Sequence, residues 1–553
     1  MSTSAMQRRE AGDRRTAFDP IELEVLWNRL IAIVDEAAAA LVRTAFSAIV
    51  RESNDFACVL LDPHGRSVAQ SSISVPSFIG TMPRTLKELL KVFPLETWKP
   101  GDVVVTNDPW LGTGHLPDFS MVTPVFYRDR LVGFAGSIAH TPDIGGTGWS
   151  PDASEVYEEG FRIPPSKLVE EGRPNELLFR LIQANVRVPE QVMGDLRAQI
   201  ASGQVCAHKL REFLDEQGLD ELTPLAETIQ ARSEAAMRRA ISQIPDGEYR
   251  HTLFTDGLDE PLRIECAVRI AGERLVVDYT GTSPQVPKGI NSVYNYTYAY
   301  TAYPVKCALD PTTPNNEGSF LPIEVIAPEG SVVNPRFPAA VNSRGLTAHY
   351  LTAAIYGALA EVIPNQVIGE SGAPANRTVL SGYDGQGQRF SIVIFTSGGL
   401  GARSNRDGTP ATAFPSNAGG SSLEVLENQA PIVFLGRRLV PGSGGEGMYR
   451  GGLAQEVTVK LLPGASGTTA SLHTERLRFA PAGVRGGAPG GLAQVALNGG
   501  PLQPKGRTRV KAGDAITIRT PGGGGYGPAS QRDPELLAFD RREGLIEEDH
   551  GNS

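Results

Sequence analysis

Cysteine is scarce in this chain. Its four copies, Cys58, Cys206, Cys266 and Cys307, are scattered over 553 residues with no C-x-x-C pair. This argues against a disulfide framework or a cysteine-rich zinc site and suits a reducing compartment. No run of about 18 apolar residues occurs, so no transmembrane helix is expected. The opening "MSTSAMQRREAGDRR" lacks the apolar core of a secretory signal. Net charge is −10, and no basic stripe with interleaved aromatics is present. Nucleic acid is therefore not expected as a partner. No Walker A sequence occurs, so any ATP is expected to be bound elsewhere. A cytoplasmic protein with neither membrane nor nucleic acid as partner is the expectation.

What is present is globular in composition, with 41% hydrophobic and 21% charged residues. The length is too great for one ordinary domain. Glycine is abundant, with 61 copies and the excess late in the chain. It reads there as tight turns between strands.

The first ordered element is a helix from about Pro20 to Ala48. Asp19 suits its cap, Pro20 its first turn and Glu22 a capping box. Leu23, Leu26, Leu30, Val34, Ala37 and Leu41 form one apolar stripe. "DFACVLLDPHGRSVAQ" reads as two strands around an Asp62–Gly65 turn, with Asp55 at the foot of the outgoing strand. The β pattern continues from Gly101 to His140. Residues 175–244 read as helices, one of them starting at Pro189. Strands resume near Tyr249, and a helix is expected over Leu346–Val362. The expected class is α+β: a large multi-layer body with antiparallel hairpins carrying a metal site, a helical middle segment and a glycine-rich β region. The expected divisions are a flexible N-terminus (1–18), helix and hairpins with the metal site (19–165), a helical segment (166–245), a mixed region (246–377), the glycine-rich β region (378–527) and a tail (528–553).

Only eight histidines occur, and two bracket "GHLPDFSMVTPVFYRDRLVGFAGSIAH". With a turn over Arg128–Arg130 and no bulge, Asp118 and His140 lie equally far from Asp129. They then face each other across the hairpin, with Cβ atoms about 4.5–5.5 Å apart. His115 sits three residues before Asp118, in a loop that can fold back to the same point. Two imidazoles and one carboxylate suit a divalent transition metal such as zinc, manganese or iron, with positions left open for water or substrate. Asp55 is a candidate fourth ligand. Asp143 is a candidate to orient an imidazole or move a proton. Ordinary hydrogen-bonded strand ends are the alternative.

Long stretches resemble the hydantoinase B family, the B-type subunits of ATP-dependent hydantoinases, 5-oxoprolinases and lactamases, with acetone and acetophenone carboxylases as relatives. They include "NDPWLGTGHLPDFSMVTPVF", "AHTPDIGG", "EGFRIPP", "DYTGTSPQV", "FPSNAGGSSLEVLENQAPI" and "TPGGGGYG". The resemblance implies metal ligation by His115, Asp118 and His140, with Asp55 as a further ligand. It also implies a hetero-oligomer. On that resemblance a hydantoinase A-type partner subunit would bind ATP and phosphorylate the small-molecule substrate, and this chain would handle the activated species at its metal. Hydrolysis of a cyclic amide is the favoured reaction, and ATP-dependent ketone carboxylation the second. A non-catalytic assembly role is a third. The sequence departs from the family at Thr141, Ser74 and Ser77, where histidines are usual, and this bears on the substrate.

Three other signals are set aside. "GSGGEG" (Gly442–Gly447) matches G-x-G-x-x-G but lacks the strand before and helix after that a dinucleotide loop needs. "GGSS" (Gly419–Ser422) has neither a lysine partner nor a nucleophile elbow. The tyrosines of "VYNYTYAYTAY" read as core or pocket wall on either a strand or a helix.

Overall fold

A computed structural model describes residues 18–546. The expected flexible terminus lies outside these residues except for Phe18. The first helix spans Pro20–Thr44, and Asp19 caps it by accepting from the Ile21 and Glu22 amides. The chain then breaks and re-forms a short turn at Ala48–Arg51.

The first sheet is built from β1 (Phe56–Leu61), β2 (Ser67–Gln70), β3 (Val103–Thr106), β4 (Asp118–Tyr127), β5 (Arg130–His140), β6 (Ser166–Glu170) and β7 (Arg173–Pro174). Its order is β2-β1-β5-β4-β3-β6-β7. Every residue of β1 is buried, because both faces of the sheet are covered. Phe56, Cys58 and Leu60 pack toward helices Pro20–Thr44 and Pro189–Gln217. Ala57, Val59 and Leu61 pack toward helix Pro76–Val92. A strand buried on both faces reads as an unbroken apolar run, as "FACVLL" does. Helix Pro189–Gln217 approaches the sheet where it has no side chain: a Cβ on Gly203 would fall 2.5 Å from Thr123 Oγ1.

The hairpin β4–β5 differs in detail from the expected one. Arg128 and Asp129 both have positive φ, 48° and 62°, so the turn is a two-residue connection of the type that matches strand twist. A bulge follows, between Val125 and Phe126 on β4. The tighter turn and the extra residue on β5 offset each other, and Asp118 still pairs with His140.

A second sheet, β8 (Gly247–Thr255), β9 (Leu262–Ala271), β10 (Arg274–Asp278) and β11 (Ile323–Ile326), carries the mixed region, in the order β11-β10-β9-β8. Helices Tyr294–Leu309 and Tyr350–Leu359 pack on it around Tyr300, Tyr350 and Leu359. The tyrosine run is thus helical.

The later strands are β12 (Asn376–Tyr383), β13 (Arg389–Thr396), β14 (Ile432–Leu439), β15 (Gln455–Leu461), β16 (Ser466–His473), β17 (Gln494–Leu497), β18 (Gly500–Pro501), β19 (Lys505–Arg509) and β20 (Ala515–Arg519). They form two sheets, β13-β12-β16-β19 and β14-β15-β20-β17-β18. In the tail, helix Pro534–Arg542 is held by Asp540, which pairs with Arg450 and Arg532.

The late glycines were expected in tight turns, and many are not. Segments around 399–401, 444–452, 483–491 and 521–525 lie backbone against backbone. A Cβ on Gly451 would fall 1.9 Å from the Gly523 oxygen, and one on Gly522 1.7 Å from the Ser443 oxygen. None of Gly522–Gly525 has a left-handed φ, so glycine is needed there for space. The Gly522, Gly523, Gly524 and Gly525 amides donate to the Gly491, Gly452, Glu370 and Ala488 carbonyls. No amide of that run is left to bind an anion. "GSGGEG" belongs to the same packing, since the Gly445 amide donates to the Gly523 carbonyl.

Among the described residues no helix is long and apolar enough to cross a membrane.

Candidate metal centre

The foot of the β4–β5 hairpin brings three side chains together. His115 Nε2 lies 2.7 Å from Asp118 Oδ1. His140 Nδ1 lies 2.8 Å from the same oxygen and 3.2 Å from His115 Nε2. All three residues are buried. Adjacent ligands held at about 2.1 Å from one ion stand about 3 Å apart. The three donor atoms form such a triangle, and the cluster can hold a metal ion.

Two of the donors are oriented from behind by side-chain contacts, and the third by its strand. His115 Nδ1 is 2.9 Å from the Asn342 carbonyl. That partner accepts only, so Nδ1 carries the proton and Nε2 keeps its lone pair for the cluster. Asp118 turns Oδ1 toward the imidazoles, while Oδ2 accepts from Thr113 Oγ1 at 2.5 Å and Arg344 Nη2 at 2.8 Å. The His140 amide donates to the Asp55 carbonyl, tying the strand foot to β1.

The charge states suit ligation. Burial and the nearby Arg344 guanidinium push His115 down to about 3, so it is neutral. Burial raises Asp118, but the Arg344 guanidinium and the hydrogen bond from the His140 imidazole act against it, and the carboxyl is held well below its usual range. A neutral imidazole, as at His115, and an ionised carboxylate, as at Asp118, are the forms that bind a cation.

Asp55 lines the same small cavity of about 30 Å³, but its carboxylate does not join the three-atom cluster. Burial raises its pKa, partly offset by His140. Asp143 does not join the cluster either. Its carboxylate is taken by Arg187, through the Arg187 amide and through Nη1 at 2.5 Å. The positions that depart from the family divide. Ser77 lines the cavity. Ser74 is hydrogen-bonded to Ser71, and Thr141 Oγ1 donates to the Pro117 carbonyl at 3.0 Å.

Several cavity residues gave no local signal in the sequence. Trp149 lies against His140 with ring centroids 4.4 Å apart, and its indole N–H donates to the Asn342 carbonyl. Arg344 crosses the Tyr296 ring at 3.9 Å. Arg377 faces Trp149 at 5.3 Å. Tyr296 and Tyr300 do form a pocket wall. Behind the cavity, Glu159 Oε1 accepts from the Val341 and Asn342 amides and so fixes the loop that holds His115.

The described geometry is that of a mixed α+β fold with a buried two-imidazole, one-carboxylate cluster. Residues 19–529 match the Hydantoinase B/oxoprolinase model, and the chain belongs to that family. It is 33% identical to an uncharacterized protein of Methanocaldococcus jannaschii, over 96% of this chain and 94% of that one. It is 32% identical to a chain of Pseudomonas sp. (strain NS671) provisionally named as the B-type subunit of a D-/L-hydantoinase, over 96% and 93%. A Dictyostelium discoideum 5-oxoprolinase is 30% identical over 93% of this chain, which spans 40% of that longer one. Among solved structures, the ATP-dependent caprolactamase of Pseudomonas jessenii superposes with a TM-score of 0.89 at 27% identity, over 96% of this chain and 95% of that one. An acetone carboxylase shares the fold, with a TM-score of 0.87 at 20% identity over 96% and 78%.

Proposed function

We propose that this chain is the metal-dependent B-type subunit of an ATP-dependent cyclic-amide hydrolase. Its substrate would be a hydantoin, 5-oxoproline or lactam already phosphorylated by an A-type partner that binds ATP. The observation that carries the reading is the triangle of His115 Nε2, Asp118 Oδ1 and His140 Nδ1, buried in a cavity that arginines border. The likeness to the caprolactamase over nearly both whole chains favours hydrolysis. The likeness to acetone carboxylase is one of fold.

On this reading His115, Asp118 and His140 hold a divalent zinc, manganese or iron ion, which supplies a Lewis acid. Asn342 aims His115, and Thr113 and Arg344 aim Asp118. Arg344 and Arg377 present positive charge to an anionic, phosphorylated substrate. Trp149, Tyr296 and Tyr300 exclude bulk water, which strengthens every charge interaction inside. Asp55 is the candidate to complete the ligand set or accept a proton at the cavity wall. Asp143 acts through Arg187 on the segment that carries Trp149.

The test is to purify the native complex, identify the co-purifying chain and assay ATP-dependent ring opening of hydantoins, 5-oxoproline and lactams. Tracer bicarbonate in the same assay separates the two chemistries. Label entering product would replace hydrolysis by carboxylation. Unchanged metal content and turnover in both His115→Ala and His140→Ala would remove the metal from the mechanism.

A further inference from the structure

Beyond the metal cavity, on the far side of Trp149, lies a second cleft of about 140 Å³ that the proposed reaction does not use. Its rim carries three guanidiniums, those of Arg187, Arg389 and Arg507. Strand register explains how it is built. Directly opposed residues of an antiparallel pair share a face of the sheet. On β12, β13, β16 and β19 the rows on one face are Arg377 with Phe395 and His473, then Val379 with Ser471 and Arg507, then Ser381 with Ser391 and Thr469, and last Tyr383 with Arg389. Trp149 sits on the first row, 5.7 Å from the His473 ring and 6.2 Å from Phe395. Arg377 of that row also lines the metal cavity. One sheet face therefore runs from the metal cavity, beneath a single indole, onto a floor of hydroxyls ringed by arginines.

Two observations point to an anionic ligand. The first is charge. Arg187 is matched by Asp143 at 2.5 Å and Arg507 by Asp152 at 3.2 Å. No carboxylate among the described residues pairs with Arg389. Its Nη1 donates to the Tyr383 hydroxyl at 2.7 Å and its guanidinium lies 4.9 Å from that ring. The cleft thus carries one positive charge in excess. The second is unmet hydrogen-bonding capacity. Ser471 Oγ, on the floor, is buried without a hydrogen-bond partner among the described residues. Ser471 is more than nine-tenths buried, and leaving such a hydroxyl unpaired is costly.

We propose that this cleft binds the oxyanion of a small molecule, a phosphate or a carboxylate. Arg389 is the principal cationic partner, and the Ser381, Ser391, Thr469 and Ser471 hydroxyls donate from the floor. Guanidinium and hydroxyl donors around a concave floor are the groups that recognise such anions. The inference stands apart from the reaction, because it concerns binding to this chain without metal or turnover.

The experiment is calorimetric titration of the full chain, kept in chelator so that no metal captures the anion. Inorganic phosphate is the probe in one arm. In the other it is 5-oxoproline, whose sole charge is a carboxylate. Saturable binding in either arm is expected and identifies the anion. Arg389→Met and, independently, Arg507→Met should each weaken it about ten-fold or more, the cost of one charged hydrogen-bonding partner. Arg274→Met, an exposed arginine on β10, should leave it unchanged, and circular dichroism should show all three variants folded. Saturation in neither arm overturns the proposal. So does binding that survives Arg389→Met, or that weakens equally in Arg274→Met.

Discussion

Asp118 divides its work between two oxygens. One faces both imidazoles, and the other is pinned by Thr113 and Arg344. Replacing His115, Asp118 or His140 by Ala should abolish metal binding in the purified chain, read by elemental analysis. Arg344→Met keeps all three donors but frees Asp118 to turn, and metal affinity should fall about 10–100-fold. Glu159 tests the loop behind them. Burial pushes its carboxyl from 4.5 up to about 8, against the amide hydrogen bonds from Asn342 and Val341. The folded chain then holds an extra proton between those pH values, so stability falls as pH rises across that window. Glu159→Gln keeps an acceptor for the two amides and cannot ionise. Its melting temperature should match the wild type near pH 5 and exceed it at pH 9. Parallel curves would show that Glu159 ionises as an ordinary carboxylate.

The hairpin is the element on which the site depends. Its two turn residues, Arg128 and Asp129, hold positive φ at a cost of about 1–2 kcal/mol each. The ion pair of Arg128 with Asp220 is exposed and offsets little of this. Arg128→Asn with Asp129→Gly should therefore raise stability by about 1 kcal/mol in denaturant titration and leave metal content alone. Much of this element was legible in the sequence. The two apolar runs of β4 and β5 and the polar turn between them set Asp118 opposite His140, and the loop glycines let His115 fold back. The two-residue turn and its bulge were not legible, because each changes the count by one and the two cancel. Trp149 and Arg344 were not legible either. Arg344 reaches Asp118 from 226 residues further along the chain, and no local periodicity reports such a contact. Asp143 stood in a suggestive place in sequence, yet its carboxylate is taken by Arg187, a partner on another element.

At the scale of the molecule, the cavity is closed by pieces of the first sheet, the Asn342 loop, helix Tyr294–Leu309 and β12. An ion bound there joins elements that are distant in sequence, so metal should stabilise the whole fold. Saturating metal at about 100 times its dissociation constant adds about 2.7 kcal/mol. The melting temperature should rise accordingly and fall back on chelation. The glycine packing was the least legible large feature. A glycine-rich run shows that a side chain is absent and does not show which backbone takes its place. Gly451→Ala should cost at least about 3 kcal/mol, because the atom it meets is main chain and cannot rotate away. Gly436→Ala, where a Cβ meets nothing within 4 Å, should be tolerated in the same unfolding assay.

That backbone-on-backbone packing also changes how genetic data on this protein should be read. A saturation-mutagenesis screen scored on activity would return Gly451, Gly522 and Gly523 beside His115 and Asp118, with equal severity. The two sets separate once soluble yield is scored in parallel. The imidazole and carboxylate positions lose activity at full yield, whereas the glycine positions lose the protein itself.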